Sequence, residues 1–327
     1  MYKSTKGESV SAVMAVYNPD LCFFEKAVAS VLSQTFSVLE LLLVNDGGSE
    51  AFRTLLPDDS RIRVFSKKNE GVAATRNFAL QQCRGEYIAF LDQDDYWYPD
   101  KLHEQMAMIP VPGEPCMVTS LVDIVEKNDI IQCKPSKKAA DLYRLKSRKG
   151  SALLNLVEDN FLYSSTPLIH SSVFDRIGGF DLRTQPHDDW DMYLRVMLAG
   201  FPAYFYQQKP LSVWRQHDDN ESNNDGVMAR SKCRVEKKLL DTVTDERIRS
   251  ITAINLLIDS MERVNLLYRM QQYKRFRALI KGYLLRLLRY NHYSIKSGVV
   301  LHRTISRRIR KIRYKSVRRY VVSFFLT

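Results

Sequence analysis

Residues 86–95 read EYIAFLDQDD, a short apolar run that changes abruptly into four polar residues, three of them acidic. The length of the run and its lack of interior polar residues predict a strand over 86–91 that is buried on both faces. Strands of this kind are typical of parallel sheets covered by helices, and ligands bind beyond the carboxyl ends of such strands. The acidic residues of 92–95 are therefore candidate ligand-binding residues.

The sequence on the N-terminal side of this strand alternates strands and helices in the same way. Short apolar runs predict strands over 10–16, 40–44 and 61–65. Helical spacing of apolar residues predicts a helix over 21–34, which Asp20 is placed to cap, and a second helix is predicted over 71–83. The alternation predicts an α/β fold, a Rossmann-like and mostly parallel sheet with helices on both faces.

Polar clusters follow three of the predicted strands, at the edge where a ligand is expected. A nucleotide is the natural ligand of such an edge. However, no GxGxxG motif follows the first strand and the sequence has no GxxxxGK[ST] motif, so Rossmann dinucleotide binding and P-loop chemistry lose support. The clusters are Tyr17 with Asn18, Asn45 with Asp46, and Asp92 with Gln93 and Asp94.

A site without a phosphate loop can hold a diphosphate through a divalent cation bound by carboxylates. Asp92 and Asp94 are two residues apart, so both side chains point the same way if the extended geometry of the strand persists. Such oxygen ligands suit Mg²⁺ or Mn²⁺. By itself, an Asp-x-Asp turn is more often a solvated surface feature, and this one lacks the glycine and glutamate of an EF-hand.

The composition excludes several other classes of protein. Of the 327 residues, 45% are hydrophobic and 26% charged, as in soluble globular proteins and unlike disordered, collagen-like or disulfide-stapled chains. No run of apolar residues is long enough to predict a membrane-spanning helix, and no apolar segment of the kind found in secretory signals follows the N-terminus. The five cysteines form no CxxC pair, which favours reduced, structural thiols in a cytosolic protein.

Charge is divided unevenly along the chain. Residues 1–225 hold 24 Lys and Arg against 31 Asp and Glu, whereas residues 226–327 hold 25 against 6. We therefore predict two domains, 1–225 and a basic helical region over 226–327 with an anionic partner. The last part, Arg303 to Leu326, is typical of a helix that lies on an anionic membrane surface, although packing of the helices on each other or on the first domain is the simpler alternative.

Several motifs together carry a family resemblance that none carries alone. Residues 9–222 resemble the family-2 glycosyltransferases, inverting enzymes with the GT-A fold. The basic tail lies outside the resemblance. In the family's order, the stretches that carry it are VSAVMAVYN (10–18), SQTF (33–36) with LVNDG (43–47), NEGVAATRN (69–77), GEYIAFLDQDD (85–95), GGFD (178–181) with DDWD (188–191), and RQH (215–217).

The resemblance implies a nucleotide-sugar site at the ends of the first strands. Tyr17 and the neighbouring Asn18 would lie by the nucleotide base, and Asp46 would contact the base or its ribose. For Asp46, a turn-forming role in Asn-Asp-Gly-Gly is the alternative. Arg76, followed by Asn77, would either touch the diphosphate or brace the acids of the site.

The resemblance also implies a metal site and a donor contact at the end of the fourth strand. Asp92 would belong to both the donor site and the metal site, with Asp94 as the more direct ligand and His217 as a further one. This set of ligands suits Mn²⁺ or Mg²⁺. By sequence alone, His217 is more often an ordinary surface histidine.

Transfer with inversion needs a general base on the acceptor side. Asp189 matches the position that the family uses for it. Asp188 lies beside it on the acceptor side, where the family has Glu more often, and both acids also favour the start of a helix predicted over about 190–199. Trp190 either walls the acceptor site or packs in the core.

The resemblance implies an inverting, metal-dependent enzyme that moves a sugar from a nucleoside-diphosphate sugar. The expected donor is a UDP-sugar. The acceptor would be a hydroxyl of a glycan or lipid-linked glycan in cell-surface polysaccharide synthesis. The expected location is cytoplasmic, at the inner face of the cell membrane. The alternatives are a nucleic-acid binder that uses the basic tail, although no specific nucleic acid is expected, and an inactive transferase-like partner module. Asn45, where the family has Asp more often, keeps the second alternative open.

Overall fold

The structure is a computed structural model, and it describes residues 8–126, 141, 143–148 and 152–269. The chain divides into two compact units, Met1–Asn220 and Glu221–Thr327, whereas the sequence analysis places the division at 225/226. The strands are β1 (Val10–Val16), β2 (Glu40–Asn45), β3 (Ile62–Ser66), β4 (Tyr87–Phe90), β5 (Tyr96–Trp97), β6 (Met117–Glu126), β7 (Leu168–His170) and β8 (Ala203–Gln216). The helices are α1 (Leu21–Leu32), α2 (Val72–Gln82), α3 (Lys101–Met106), α4 (Ala152–Glu158), α5 (Ser171–Ile177), α6 (Asp188–Leu198), α7 (Asp225–Thr242) and α8 (Glu246–Arg269).

The first unit is built on one sheet in the order β3-β2-β1-β4-β7-β6-β8-β5. Strands β1 to β4 pair in parallel, and β6 pairs in parallel with β8. The short β7 runs antiparallel to both β4 and β6, and β5 runs antiparallel to β8. The predicted α/β class is confirmed. Because β7 is reversed, its beginning lies at the same edge of the sheet as the ends of β1, β2, β4 and β8.

The observed strands are buried because their apolar runs lack a polar face. All residues of β2 and β4 are buried, and so are all but one of β1. Helix α1 buries Phe24, Ala27, Val28 and Val31. These residues join one hydrophobic core with the strands, and burial of each large side chain contributes about 1.5–3 kcal/mol.

Local signals set the ends of the elements within a few residues of the predicted bounds. Asp20 accepts the N–H groups of Cys22 and Phe23, which confirms it as the cap of α1. Gly71 precedes α2 with a φ of 92°, a conformation that favours glycine. The strand predicted over 86–91 is shorter, since it ends at Phe90 and is followed by a turn in which the Asp95 N–H donates to the Asp92 carbonyl.

The second unit contains α7 and α8, which agree with the predicted helical character of this region as far as Arg269. The predicted apolar stripe over 279–288 and the basic segment Arg303 to Leu326 lie outside the described residues. Within the described part of the chain, no helix combines the length and the hydropathy needed to cross a membrane.

Candidate active site

The sheet gathers the predicted site residues at one edge. Residues 17–18, 45–46 and 92–95 follow the ends of β1, β2 and β4, and His217 directly follows β8. Asp188 and Asp189 begin α6. Side-chain contacts connect residues 92–95 with Tyr17, with His217 and, through Arg76, with the start of α6.

Asp46 is buried and organises the loop that leads into α2. Its carboxylate accepts bonds from Lys67 Nζ at 2.8 Å, the Glu70 N–H at 3.0 Å and the Gly71 N–H at 2.8 Å. Burial would raise the pKa of Asp46, but these donors outweigh it and hold the pKa below its ordinary value. The observed bonds give Asp46 a loop-forming role, and its contact with a base or ribose stays a prediction.

Tyr17 presents its ring at this edge, with 49% of the residue exposed. The Tyr17 backbone is fixed by Gln93, whose side-chain amide accepts the Tyr17 N–H at 2.8 Å and donates to the Tyr17 carbonyl at 3.1 Å. Asn18 has a φ of 42°, and its side chain accepts the Ser49 N–H at 2.8 Å. An exposed aromatic ring on a fixed backbone suits stacking under a base.

Asp94 and His217 contact each other at the edge of the sheet. Asp94 Oδ2 lies 2.8 Å from His217 Nε2, although the two residues are 123 positions apart in the chain. Burial raises the pKa of Asp94, and the negative Asp92 adds to the effect. The Phe23 ring contacts the His217 ring at a centroid distance of 5.8 Å and therefore limits the positions that the imidazole can take. A carboxylate and an imidazole that face each other in this way are the donor set that Mn²⁺ accepts.

Asp92 points elsewhere, because the turn after β4 replaces the extended geometry that the sequence analysis assumed. Asp92 Oδ1 accepts a bond from Arg76 at 2.5 Å, and Oδ2 accepts the hydroxyl of Ser164. Among the described residues, no three His, Cys, Asp or Glu side chains are grouped as a metal ion would require. Asp94 and His217 supply two donor types that suit Mn²⁺ or Mg²⁺. The predicted metal site, and the part of Asp92 in it, stays a prediction.

Arg76 connects the two groups of acids. Its guanidinium is 6% exposed and bonds Asp92 at 2.5 Å and Asp188 at 3.2 Å. The Phe180 ring lies 5.4 Å from the guanidinium carbon. Of the two roles left open by the sequence, the observed contacts are those of a brace between the acids.

Asp189 is partly exposed, unlike its neighbour Asp188, which is buried. It accepts the Trp190 N–H on Oδ1 at 2.6 Å and faces Asn160 Nδ2 from Oδ2 at 3.4 Å. Burial raises the pKa of Asp189 to about 7, Asp188 adds to the rise, and Arg76 opposes it. A carboxylate that titrates near neutral pH suits general base catalysis.

Two predicted site residues have structural contacts. Asn77 donates to the Phe180 carbonyl at 2.8 Å and accepts the Phe180 N–H at 2.7 Å, so both polar atoms of its amide bind the GGFD segment. Trp190 is 1% exposed, and its indole N–H donates to the Leu156 carbonyl of α4 at 2.8 Å. Trp190 therefore packs in the core, and a part in the acceptor site stays a prediction. A contact between Asn77 and the nucleotide stays a prediction.

The segment 160–165, between α4 and β7, carries functional contacts that the sequence analysis missed. Asn160 faces Asp189, Ser164 donates to Asp92, and Ser165 donates to the buried Asp95 at 2.6 Å. Asn160, Ser164 and Ser165 belong neither to a polar cluster that follows a predicted strand nor to a motif of the family resemblance. Because β7 is antiparallel, residues that precede it reach the same edge. These residues could have been predicted only if the direction of β7 had been known, and that direction has no local signal in the sequence.

Comparison with known proteins bears on the first part of this site. Residues 11–167 match the family model described as Glycosyl transferase family 2. The match confirms the resemblance over these residues, which include Asp46, Arg76, Asp92 and Asp94. A curated relative from Escherichia coli, a UDP-Glc:alpha-D-GlcNAc-diphosphoundecaprenol beta-1,3-glucosyltransferase, is 31% identical over 49% of this chain and 65% of its own length. The chain also matches other curated glycosyltransferases, and the matches cover between 14% and 69% of the length of those proteins.

Solved structures confirm the GT-A-like fold. The 1–349 portion of S. aureus TarS, crystallised with UDP-GlcNAc, has a TM-score of 0.59 at 17% identity and covers 94% of this chain and 93% of its own. A mannosyltransferase from Pyrobaculum calidifontis, in complex with GDP-Man and Mn²⁺, has a TM-score of 0.56 at 15% identity with 89% of each chain covered. At these identities the likeness establishes the fold.

Proposed function

We propose that the protein is an inverting glycosyltransferase that moves a sugar from a nucleoside-diphosphate sugar to a hydroxyl group, with Asp189 as the general base. The observation that carries the proposal is the position of Asp189. It is a partly exposed carboxylate with a pKa of about 7, beside acids that Arg76 connects to the end of β4. A base of this pKa is charged in about half of the molecules at neutral pH and can accept a proton there.

The transfer is a single displacement at the anomeric carbon. The acceptor hydroxyl oxygen forms a bond to that carbon from the face opposite the diphosphate, and its proton passes to a carboxylate oxygen of Asp189. The bond between the anomeric carbon and the diphosphate oxygen breaks, and the nucleoside diphosphate leaves with the electron pair. Asp189 ends protonated and returns its proton to solvent.

The leaving diphosphate needs its charge neutralised. Asp94 and His217 are the residues that would hold a Mn²⁺ or Mg²⁺ ion, and such an ion would neutralise charge on the diphosphate. Arg76 keeps Asp92 and Asp188 in fixed positions on the two sides of the site, which orients donor and base relative to each other.

For the donor we propose a UDP-sugar, and for the acceptor a glycan or lipid-linked glycan in cell-surface polysaccharide synthesis. The E. coli relative is named for UDP-glucose and a diphosphoundecaprenol-linked sugar, and TarS was crystallised with UDP-GlcNAc, which supports both. The net charge of residues 226–327 supports attachment of this region to an anionic membrane surface at the cytoplasmic face.

A thermal-shift screen tests the donor. The full chain is heated with UDP-glucose, UDP-GlcNAc or GDP-mannose, each with and without Mn²⁺. A ligand at 100 times its Kd stabilises the folded state by about 2.7 kcal/mol. We expect a metal-dependent rise in Tm with a UDP-sugar, followed by release of UDP when acceptor is added. An unchanged Tm with every donor at millimolar concentration contradicts the proposal.

Attachment to membranes is tested by sedimentation with vesicles. We expect the full chain to sediment with vesicles rich in phosphatidylglycerol and to stay in solution with neutral phosphatidylcholine vesicles. A chain that ends at residue 302 tests the role of the last segment. Equal behaviour with both kinds of vesicle contradicts attachment, and tight salt-sensitive binding to DNA in its place favours the nucleic-acid alternative.

A further inference from the structure

Asn160 lies where it can control the direction of the Asp189 carboxylate. Asn160 lies in the segment between α4 and β7 and is partly buried. Its Oδ1 atom accepts the Leu162 N–H at 3.1 Å, and this bond fixes which side of the amide faces the site. The Nδ2 donor is thereby directed to Asp189 Oδ2.

The two oxygens of Asp189 consequently have different donors. Oδ1 accepts the Trp190 N–H within α6 at 2.6 Å, whereas Oδ2 faces a donor from another part of the chain at 3.4 Å. The second distance is long for a hydrogen bond, and contacts of catalytic groups often shorten when substrate binds. The weaker contact leaves Oδ2 as the oxygen better able to take a proton.

We infer that Asn160 is a positioning residue for the transfer, which holds Asp189 Oδ2 toward the acceptor hydroxyl and favours the charged form of the base. The inference rests on the proposed function, because it assigns Asn160 a part in the same reaction. The charged and titratable groups around Asp189 are Asp188, Arg76, Asp92 and Tyr193. In the part of the chain that the structure describes, none of these four groups donates a hydrogen bond to Asp189 Oδ2. They would therefore not replace the donor that is lost when Asn160 is substituted.

Substitutions at Asn160 separate this role from a merely structural one. In Asn160→Ala the carboxylate loses a donor, so the acid limb of kcat/KM moves upward by about one pH unit and kcat at pH 7 falls about fivefold. Asn160→Asp places a like charge beside the base and moves the limb further in the same direction. The KM for the donor stays unchanged in both. Asn155→Ala is the matched control, since it also removes a hydrogen bond of a side-chain amide, to the Lys146 carbonyl at 2.8 Å, but one that does not involve Asp189.

A second measurement reads the contact without turnover. At pH 8.5, where Asp189 is charged, Asn160→Ala lowers Tm in the wild-type background and has a smaller effect in the Asp189→Ala background. Equal changes of Tm in both backgrounds, or an acid limb that stays in place in Asn160→Ala, overturn the inference. A full chain that couples Asn160 to Asp189 in Tm but transfers no sugar refutes the proposed function itself, and the catalytic part of Asn160 with it.

Discussion

Two pairs of side chains at the same edge of the sheet differ in what satisfies their carboxylates. Asp94 faces the imidazole of His217, which follows β8. Asp189 accepts N–H donors from the start of its own helix and from Asn160. Burial raises the pKa of both acids. A carboxylate that faces an imidazole can share a cation with it. N–H donors oppose the effect of burial on Asp189 and favour the charged carboxylate, which is the form in which a base accepts a proton.

The largest expected effect is that of Asp189→Asn. The variant keeps the shape of the side chain and removes the base, so we expect kcat to fall by about 10³-fold, with donor affinity within twofold of wild type. Turnover under saturating donor and calorimetric binding of the UDP-sugar measure the two effects.

The stability of the same variant is the control for folding. Because the folded state raises the pKa of Asp189, it binds more protons than the unfolded chain from about pH 4 to pH 7. The contribution of Asp189 to stability therefore falls as pH rises through this window. Asp189→Asn should be at least as stable as wild type at pH 8. Wild-type turnover in this variant would remove Asp189 from the mechanism.

Arg76→Met removes the bonds to Asp92 and Asp188, which are neighbours in sequence of Asp94 and Asp189. It leaves Asp188 buried without its partner, which costs about 3–5 kcal/mol of stability, and we expect kcat to fall by about 10²-fold. Thermal unfolding and steady-state kinetics measure these changes. The double variant Arg76→Met with Asp188→Asn removes the unpaired charge, and it should recover most of the stability but little of the activity. Full recovery of kcat would mean that Arg76 only balances charge.

Asp94→Ala and His217→Ala address the other pair. Each should weaken metal-dependent binding of the UDP-sugar by about 10–100-fold, because one ligand of the cation is lost. Calorimetric titrations with and without Mn²⁺ measure this change. Donor binding without metal should be unaffected in both variants. An equal loss with and without Mn²⁺ would show that Asp94 and His217 contact the donor itself or hold the fold.

The pH dependence sharpens the distinction between the pairs. The base acts in its charged form, so kcat/KM should fall about tenfold per pH unit below pH 7 and level off above it. The residual activity of Asp189→Asn should lack this acid limb. A limb that persists in Asp189→Asn would assign the titration to another group.

The sheet, and the edge at which the predicted site residues lie, could be predicted because buried parallel strands appear in the sequence as continuous apolar runs. The runs 10–16, 40–44 and 86–91 lack a polar face, and each ends in polar residues that the fold brings together. The contact between Asp94 and His217 was implied by resemblance to a family, since nothing in the spacing of residues 123 positions apart indicates it.

The directions of individual side chains could not be predicted in the same way. Asp92 and Asp94 diverge because a turn begins at Asp92, and the sequence of a strand does not determine the backbone beyond its end. Asn160 and Ser164 were missed because the reversed direction of β7 depends on pairing with β4 and β6. Long-range pairing of this kind leaves no local pattern.

The smallest expected effect concerns Trp190, which the sequence analysis placed on the acceptor side beside Asp189. The structure buries its ring and bonds its indole N–H to the Leu156 carbonyl. Trp190→Phe keeps an aromatic ring and loses that bond, so we expect stability to fall by about 1–2 kcal/mol while the KM for acceptor stays unchanged. Thermal unfolding and acceptor titrations measure the two quantities. A higher KM for acceptor at unchanged Tm would show that Trp190 contributes to the acceptor site in spite of its buried contacts.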